Sequence, residues 1–143
     1  MSTTAWRFAG TEGADDAVAR IKQLDMQDMI NAMDVAVLRW PDYAPGPITQ
    51  EHVITERGKI LGFIPKRHPV IDTSMIDTVK GDLRPGTSAM VLLSSDADID
   101  AVVQAFRGQP LELLRTDMSV PQQDRLRQAV NEARERDEGG TPV

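Results

Sequence analysis

The residues from 84 to 106 constrain the fold more than any other part of the chain. They begin with a Pro-Gly turn and continue through a strand predicted at residues 87–94, in which residues 89–93 place apolar side chains on both faces. Such a strand belongs in the interior of a sheet that is covered on both sides or partnered on its far side. Ser95 or Asp96 is then predicted to cap a helix whose buried stripe ends at Phe106. One interior strand and the helix after it are therefore the expected centre of the fold.

Similar patterns predict the elements on either side of this segment. Strands are predicted at residues 3–9, around residues 35–38 and at residues 111–116, and helices at residues 14–24, at residues 71–79 and from residue 119 onward. Ser74 with Asp77, and Ser119 with Gln122, have the spacing of a capping box, which marks the start of a helix. Residues 42–70 are rich in proline and glycine, so they are predicted to form an irregular excursion, with a small hairpin within residues 48–70 as the alternative.

The order of these elements repeats once along the chain. A shift of 84 positions aligns Thr3-Thr4-Ala5 with Thr87-Ser88-Ala89, so that both halves follow the order strand, cap, helix, strand. Two such units in one sheet predict an α+β fold with the ferredoxin-like β-α-β-β-α-β arrangement, in which the first and third strands are central. An extra short helix before the third strand and a C-terminal helix complete the prediction. We expect a single domain at residues 1–136 and a disordered tail at residues 137–143.

Four groups of short motifs carry a resemblance to a known family. They are Trp6-Arg7-Phe8 with Gly13-Ala14, Val37-Leu38-Arg39-Trp40-Pro41, Pro85-Gly86-Thr87-Ser88-Ala89 with Leu92-Leu93, and Ala105-Phe106-Arg107-Gly108 leading to Leu113-Leu114-Arg115-Thr116. In these motifs and their order the chain resembles the domain of unknown function 1269 family, bacterial proteins often labelled predicted membrane proteins. The resemblance covers most of the chain outside residues 42–70, where the long Gly-rich apolar segment typical of the family is missing. It implies a fold, but no activity and no catalytic residues.

Charge and composition exclude several classes of function. The net charge of -6 and the pI near 4.8 disfavour binding to a phosphate backbone, so no nucleic-acid partner is predicted. The chain has no cysteine, which excludes disulfides, thiolate metal sites and a cysteine nucleophile. No apolar run approaches the roughly 20 residues that a membrane-spanning helix needs. The first residues lack the features of a secretory signal, so a cytoplasmic location is expected.

Two neighbouring stretches of the excursion are the candidate binding sites. Lys66, Arg67 and His68 form a compact cationic loop between prolines, which could bind an anion or another small ligand. The apolar side chains just before this loop could mediate self-association or contact a membrane surface. These apolar residues are Ile60, Leu61, Phe63 and Ile64.

No catalytic or metal-binding motif stands out from the rest of the sequence. His52 and His68, with Glu51, Glu56 and Asp72 nearby, match no known metal-ligand spacing, so we predict no metal, no cofactor and no catalytic residue. The leading hypothesis is therefore a non-enzymatic, self-associating module, a homo-oligomer with an assembly, scaffolding or regulatory role. The alternatives are a small-ligand or anion sensor and a peripheral membrane-associated stress protein.

Overall fold

A computed structural model of the chain describes residues 1–50, 71–106, 109 and 112–139, with side chains described up to residue 133. Five strands and four helices make up the described fold. The strands are β1 (Ser2–Ala9), β2 (Ala32–Trp40), β3 (Ile48–Gln50), β4 (Thr87–Ser94) and β5 (Glu112–Thr116). The helices are α1 (Gly13–Met26), α2 (Thr73–Asp82), α3 (Ile99–Ala105) and α4 (Val120–Gly139), and a 3-10 turn at Asp96–Asp98 precedes α3. The protein is thus an α+β protein, as predicted.

The strands form one antiparallel sheet in the order β3-β2-β4-β1-β5. Strand β4 lies between β1 and β2, and its Val91 pairs with Ala5 on one side and with Ala36 on the other. The prediction that residues 87–94 form an interior strand is therefore confirmed. The central position of β1 and the edge position of β5 also agree with the sequence pattern.

Helices cover both faces of β4, which explains why both of its faces are apolar. Met90 and Leu92 belong to a core cluster that includes residues of α1, α3 and α4. Val91 and its neighbours on the opposite face join a second cluster, to which α2 contributes Ile76 and Val79. The larger cluster includes the fully buried Trp6. Burial of such large apolar side chains supplies most of the favourable free energy of folding.

The sheet differs from the predicted four-strand arrangement by one additional strand. Residues 48–50 pair with β2 through the contacts of Ile48 with Arg39 and of Gln50 with Val37. These residues were predicted to belong to the irregular excursion, because three residues directly after a proline-rich loop are too few to show an alternating pattern. The strand order with β3 is consequently not the one predicted. Residues 51–70, the remainder of the excursion, lie outside the described residues.

The turn before β4 has the predicted geometry. The amide of Thr87 donates to the carbonyl oxygen of Arg84 at 3.2 Å, and Gly86 has a φ of 81°. Glycine is favoured at such a position because a side chain there would strain the backbone. The amide of Gly86 also donates to the carbonyl oxygen of Trp40, which ties the turn to the end of β2.

Two of the predicted helix caps are wrong. Helix α2 is capped by Asp72, whose carboxylate accepts the amide of Ser74 at 3.0 Å, so Ser74 and Asp77 do not form a capping box. Neither Ser95 nor Asp96 caps α3 with its side chain, because a 3-10 turn separates them from the helix. Both errors have the same cause: several polar residues stand in a row, and their spacing does not show which of them faces the free amides.

Helix α4 begins and packs in a more predictable way. Ser119 and Gln122 form the predicted capping box: the Ser119 amide donates to Gln122 Oε1 at 3.2 Å, and the Gln122 amide donates to Ser119 Oγ at 3.4 Å. The helix then buries Leu126, Val130 and Ala133 in the larger core cluster. It extends to Gly139, past the end predicted at residue 136, and residues 140–143 lie outside the described part of the chain. Helix α4 is thus an integral part of the domain.

Candidate functional site

A cleft of about 240 Å³ opens between the start of α3 and the first two turns of α4. We call it the α3–α4 cleft. Its lining residues come from the 3-10 turn, from α3, from the β5–α4 connection and from α4. They are Asp96, Ile99, Asp100, Met118, Gln122, Arg125 and Leu126. The cleft therefore combines apolar side chains with charges of both signs.

The floor of the cleft is part of the hydrophobic core. Ile99 and Leu126 are each 4% exposed and belong to the larger core cluster, and the partly buried Met118 packs against that cluster. Buried side chains in close-packed clusters hold defined rotamers. The floor is consequently a fixed apolar surface at the boundary between two helices.

Asp96, on the rim of the cleft, is already engaged by the N-terminus of the chain. Its carboxylate accepts the hydroxyl of Ser2 and lies 3.1 Å from the N-terminal ammonium of Met1. The hydrogen bond from Ser2, and secondarily the contact with the ammonium group, lower the pKa of Asp96 below that of an ordinary aspartate. Asp96 therefore stays ionised, and its charge is offset within the protein.

Asp100 and Arg125 are in a different situation. Both are exposed and both line the cleft, one from α3 and the other from α4. Neither forms an ion pair with the other or with any further side chain in the described ranges. Gln122 lies on the same rim, and its Oε1 is occupied by Ser119. The rim thus presents one unpaired carboxylate and one unpaired guanidinium above an apolar floor.

A second surface lies at the β2–β3 hairpin. Its loop carries Tyr43, which is 90% exposed, and Ile48 on β3 is 51% exposed. Two hydrogen bonds hold the loop in place. Trp40 Nε1 donates to the carbonyl oxygen of Ala44 at 2.9 Å, and the Ala44 amide donates to the carbonyl oxygen of Pro41 at 3.0 Å. We call Tyr43 and Ile48 the hairpin surface. It projects from an edge strand of the described sheet.

The opposite edge, β5, is protected against pairing with another strand. Arg115 forms an ion pair with Asp82 at 2.8 Å, which raises the pKa of Arg115 through the hydrogen bond and the charge of Asp82. Arg127 Nη1 donates to the carbonyl oxygen of Leu113 at 2.9 Å. Glu112, the first residue of β5, forms an ion pair with Arg7 on β1. Charged side chains of this kind prevent an edge strand from accepting another strand. The two edges of the sheet are therefore chemically different.

The candidate residues named from the sequence lie outside the described residues. This holds for Lys66, Arg67 and His68, and for the apolar residues Ile60, Leu61, Phe63 and Ile64. It also holds for His52, Glu51 and Glu56 of the rejected metal motif, whereas Asp72 is described and caps α2. In the described part of the chain, no three His, Asp or Glu side chains come together as metal ligands. The sequence candidates thus remain predictions.

The residues of both surfaces that the structure describes were not among the sites predicted from the sequence. The sequence contains an indication that Tyr43 is exposed, since an aromatic residue among prolines in a turn-rich loop has no core to enter. For Asp100 and Arg125 the sequence contains no such indication, because charged residues on the polar side of a helix are common. Their relation appears only when α3 and α4 pack together.

None of the helices that the structure describes has the length and apolar character that crossing a bilayer requires.

Comparison with family models matches residues 47–131, more than half of the chain, to the family described as protein of unknown function (DUF1269). The third and fourth motif groups lie inside this match, whereas those at residues 6–14 and 37–41 precede it. The match also includes residues 51–70, which the sequence resemblance left aside. Comparisons with curated proteins and with solved structures found no match.

Proposed function

The chain belongs to the DUF1269 family, and we propose that it acts as a non-enzymatic module that self-associates in an assembly, scaffolding or regulatory role. The observation that carries this proposal is the hairpin surface on the edge strand β3. Tyr43, in the β2–β3 loop, and Ile48, on the edge strand of the described sheet, are large hydrophobic side chains exposed to solvent. Exposed apolar groups beside an edge strand favour pairing with a second chain.

A second copy of the same chain is the natural partner for this edge. Two antiparallel β3 strands related by a two-fold axis would continue the sheet from one copy into the other. The same axis would bring the apolar side chains of both hairpins together, so that each copy buries the other's Tyr43 and Ile48. The protected edge at β5 leaves β3 as the edge that suits such pairing.

Helix α4 does not contribute to the proposed self-association. Its apolar residues Leu126, Val130 and Ala133 are buried in the protein's own core. The proposal therefore rests on the hairpin surface and not on the C-terminal helix. The apolar residues 60–64, predicted as a contact region, lie outside the described residues and stay a prediction.

Light scattering across the micromolar concentration range tests the proposal. We expect wild-type protein to form a dimer, and Ile48→Lys to weaken that dimer at least about tenfold, because a charge on the edge strand opposes pairing. Met26→Lys is the matched control, since Met26 is 78% exposed at the end of α1, away from the hairpin. A wild-type protein that stays monomeric, or an equal effect of Met26→Lys, would remove the proposal.

For the finer architecture we infer the ferredoxin-like arrangement, with β3 as an edge strand appended to β2. In support, the four longer strands have the spatial order β2-β4-β1-β5. The two central strands, β1 and β4, are the first and third of these four along the chain. The excess of one strand arises from residues 48–50 alone. Cross-strand nuclear Overhauser contacts between Trp6 and Leu113, and between Val37 and Met90, are the expected result. Contacts that place another strand between either pair would contradict the inference.

The remaining sequence hypotheses are proposals with separate tests. Anion binding by Lys66, Arg67 and His68 predicts a lower affinity for inorganic phosphate when all three are replaced by glutamine. Peripheral membrane association predicts flotation with anionic vesicles, and failure to float with both anionic and neutral vesicles would contradict it. A cytoplasmic location is likewise a proposal, to be tested by cell fractionation.

A further inference from the structure

We propose that the α3–α4 cleft binds a small zwitterionic molecule of the α-amino acid class that carries a short aliphatic side chain. This inference goes beyond self-association and rests on different residues. Arg125 would hold the carboxylate of the ligand, Asp100 would hold its ammonium group, and the floor formed by Ile99 and Leu126 would receive its side chain. Each assignment follows from the chemistry of one part of the cleft.

The unpaired charges on the rim select a ligand with both charges. Asp100 and Arg125 line one cleft from two different helices without pairing with each other or with any other side chain that the structure describes. A guanidinium binds a carboxylate with two parallel hydrogen bonds, and a carboxylate binds an ammonium group in the same charge-assisted way. A simple anion would satisfy Arg125 but meet repulsion from Asp100, and a simple cation would meet the reverse. A zwitterion satisfies both groups.

The N-terminus offsets the third charge that lines the cleft, which is the carboxylate of Asp96. Asp96 also lines the cleft, and alone it would give the rim an excess of negative charge that favours cations. Its carboxylate is engaged by the Ser2 hydroxyl and by the N-terminal ammonium of Met1 at 3.1 Å. With Asp96 offset in this way, Asp100 and Arg125 remain as one negative and one positive group.

The size and floor of the cleft limit the rest of the ligand. Its volume of about 240 Å³ is below the roughly 300–1,000 Å³ of pockets that hold drug-sized molecules. The floor offers the buried Ile99 and Leu126, with Met118 beside them, and Met can adapt to the shape of an aliphatic group. The nearby Gln122, with its Oε1 held by Ser119, can donate through its amide nitrogen to the ligand carboxylate. A free amino acid with an aliphatic side chain meets all of these conditions.

Titration with L-leucine, followed by the amide chemical shifts of isotope-labelled full-length protein, tests the proposal. We expect saturable shifts at the start of α3 and in the first turns of α4 at millimolar concentrations. Two leucine analogues separate the contributions of the charges: 4-methylpentanoate lacks the ammonium group, and 3-methylbutan-1-amine lacks the carboxylate. Each analogue should bind at least about tenfold more weakly than L-leucine. Equal binding of either analogue would overturn the proposal, as would the absence of shifts with leucine.

Substitutions on the rim provide an independent test. Arg125→Gln and Asp100→Asn should each weaken the binding of L-leucine about tenfold or more, because each removes one charge partner. The matched controls are Arg20→Gln on α1 and Asp124→Asn on α4, which change the same net charge at exposed positions outside the cleft. All four residues are exposed, so the fold should be retained, and urea unfolding of each variant checks this. Equal losses in variants and controls would mean that net charge, and not the cleft, governs binding.

Discussion

Replacing Ser88 by alanine is expected to destabilise the protein by about 2 kcal/mol. Ser88 lies fully buried near the start of the central strand β4. Its hydroxyl donates to the carbonyl oxygen of Gly10 at 2.9 Å and accepts the amide of Ala14 at 2.9 Å. Ala14 is in the first turn of α1, where amides have no partner within the helix, and the N-cap residue Glu12 provides no side-chain bond. Ser88 thus acts as a cap supplied from the sheet.

The size of the effect follows from what the substitution leaves behind. Loss of a partner for a buried donor or acceptor costs about 1–3 kcal/mol, and loss of a helix cap costs about 0.5–2 kcal/mol. These values describe the same lost hydrogen bonds, so they are not added, and about 2 kcal/mol is the expected total. In a protein of this length each kcal/mol corresponds to a change of about 2–4 °C in Tm, so Tm should fall by about 4–8 °C.

Urea unfolding followed by tryptophan fluorescence measures this effect. Ser88→Ala should lower the transition midpoint without a change in the slope of the transition, because the surface exposed on unfolding stays the same. Ser95→Ala is the matched control: Ser95 also precedes a helical turn, but its side chain makes no capping bond. We expect the control to change stability by less than about 0.5 kcal/mol. Equal stability of Ser88→Ala and wild type, or an equal loss in Ser95→Ala, would refute the capping role of Ser88.

Two further predictions concern packing and pH. Gly13→Ala should destabilise the protein by about 1–3 kcal/mol in urea unfolding, since a Cβ there would lie 2.6 Å from Phe8 Cβ. Gly81→Ala in α2 meets no atom within 4 Å and should instead be neutral or stabilising by up to about 1 kcal/mol; the opposite order would show that the contact with Phe8 relaxes freely. The lowered pKa of Asp96 stabilises the folded state at neutral pH, and this contribution should be lost as the pH falls through that pKa. The stability difference between wild type and Asp96→Asn should therefore shrink in acid, and a difference independent of pH would contradict the engagement of Asp96 by Ser2.

Local sequence patterns predicted the long strand β4, and they predicted the turn and the helix cap that only a few residue types can form. Strand β4 was predicted with its observed bounds because residues 89–93 are apolar on both faces and are bordered by polar residues and the Pro85-Gly86 turn. The Pro85-Gly86 turn and the Ser119–Gln122 capping box were predicted because few residue types satisfy their geometry. Family membership followed from the order of several such segments.

Features that depend on distant contacts escaped prediction. The three residues of β3 become a strand only because β2 offers them a partner edge. Ser88 caps α1 from a strand that is 74 positions away along the chain, so no spacing rule connects the two. The same holds for Asp96, whose partners Met1 and Ser2 lie more than 90 positions away along the chain. In each case the hydrogen-bonding capacity was visible in the sequence, but the partner was not.

The apolar stripes of the strands and helices could be predicted from the sequence, because burial follows from the periodicity of apolar side chains along each element. The main turn, the cap of α4 and the family could be predicted as well. The pairing of polar groups could not, since it depends on how the helices dock on the sheet. The packing of α3 against α4 places Asp100 and Arg125 on one cleft, and the pairing of β3 with β2 brings Ile48 to the sheet edge beside the loop that carries Tyr43. These two surfaces, on which both proposals rest, are consequences of packing and not of local pattern.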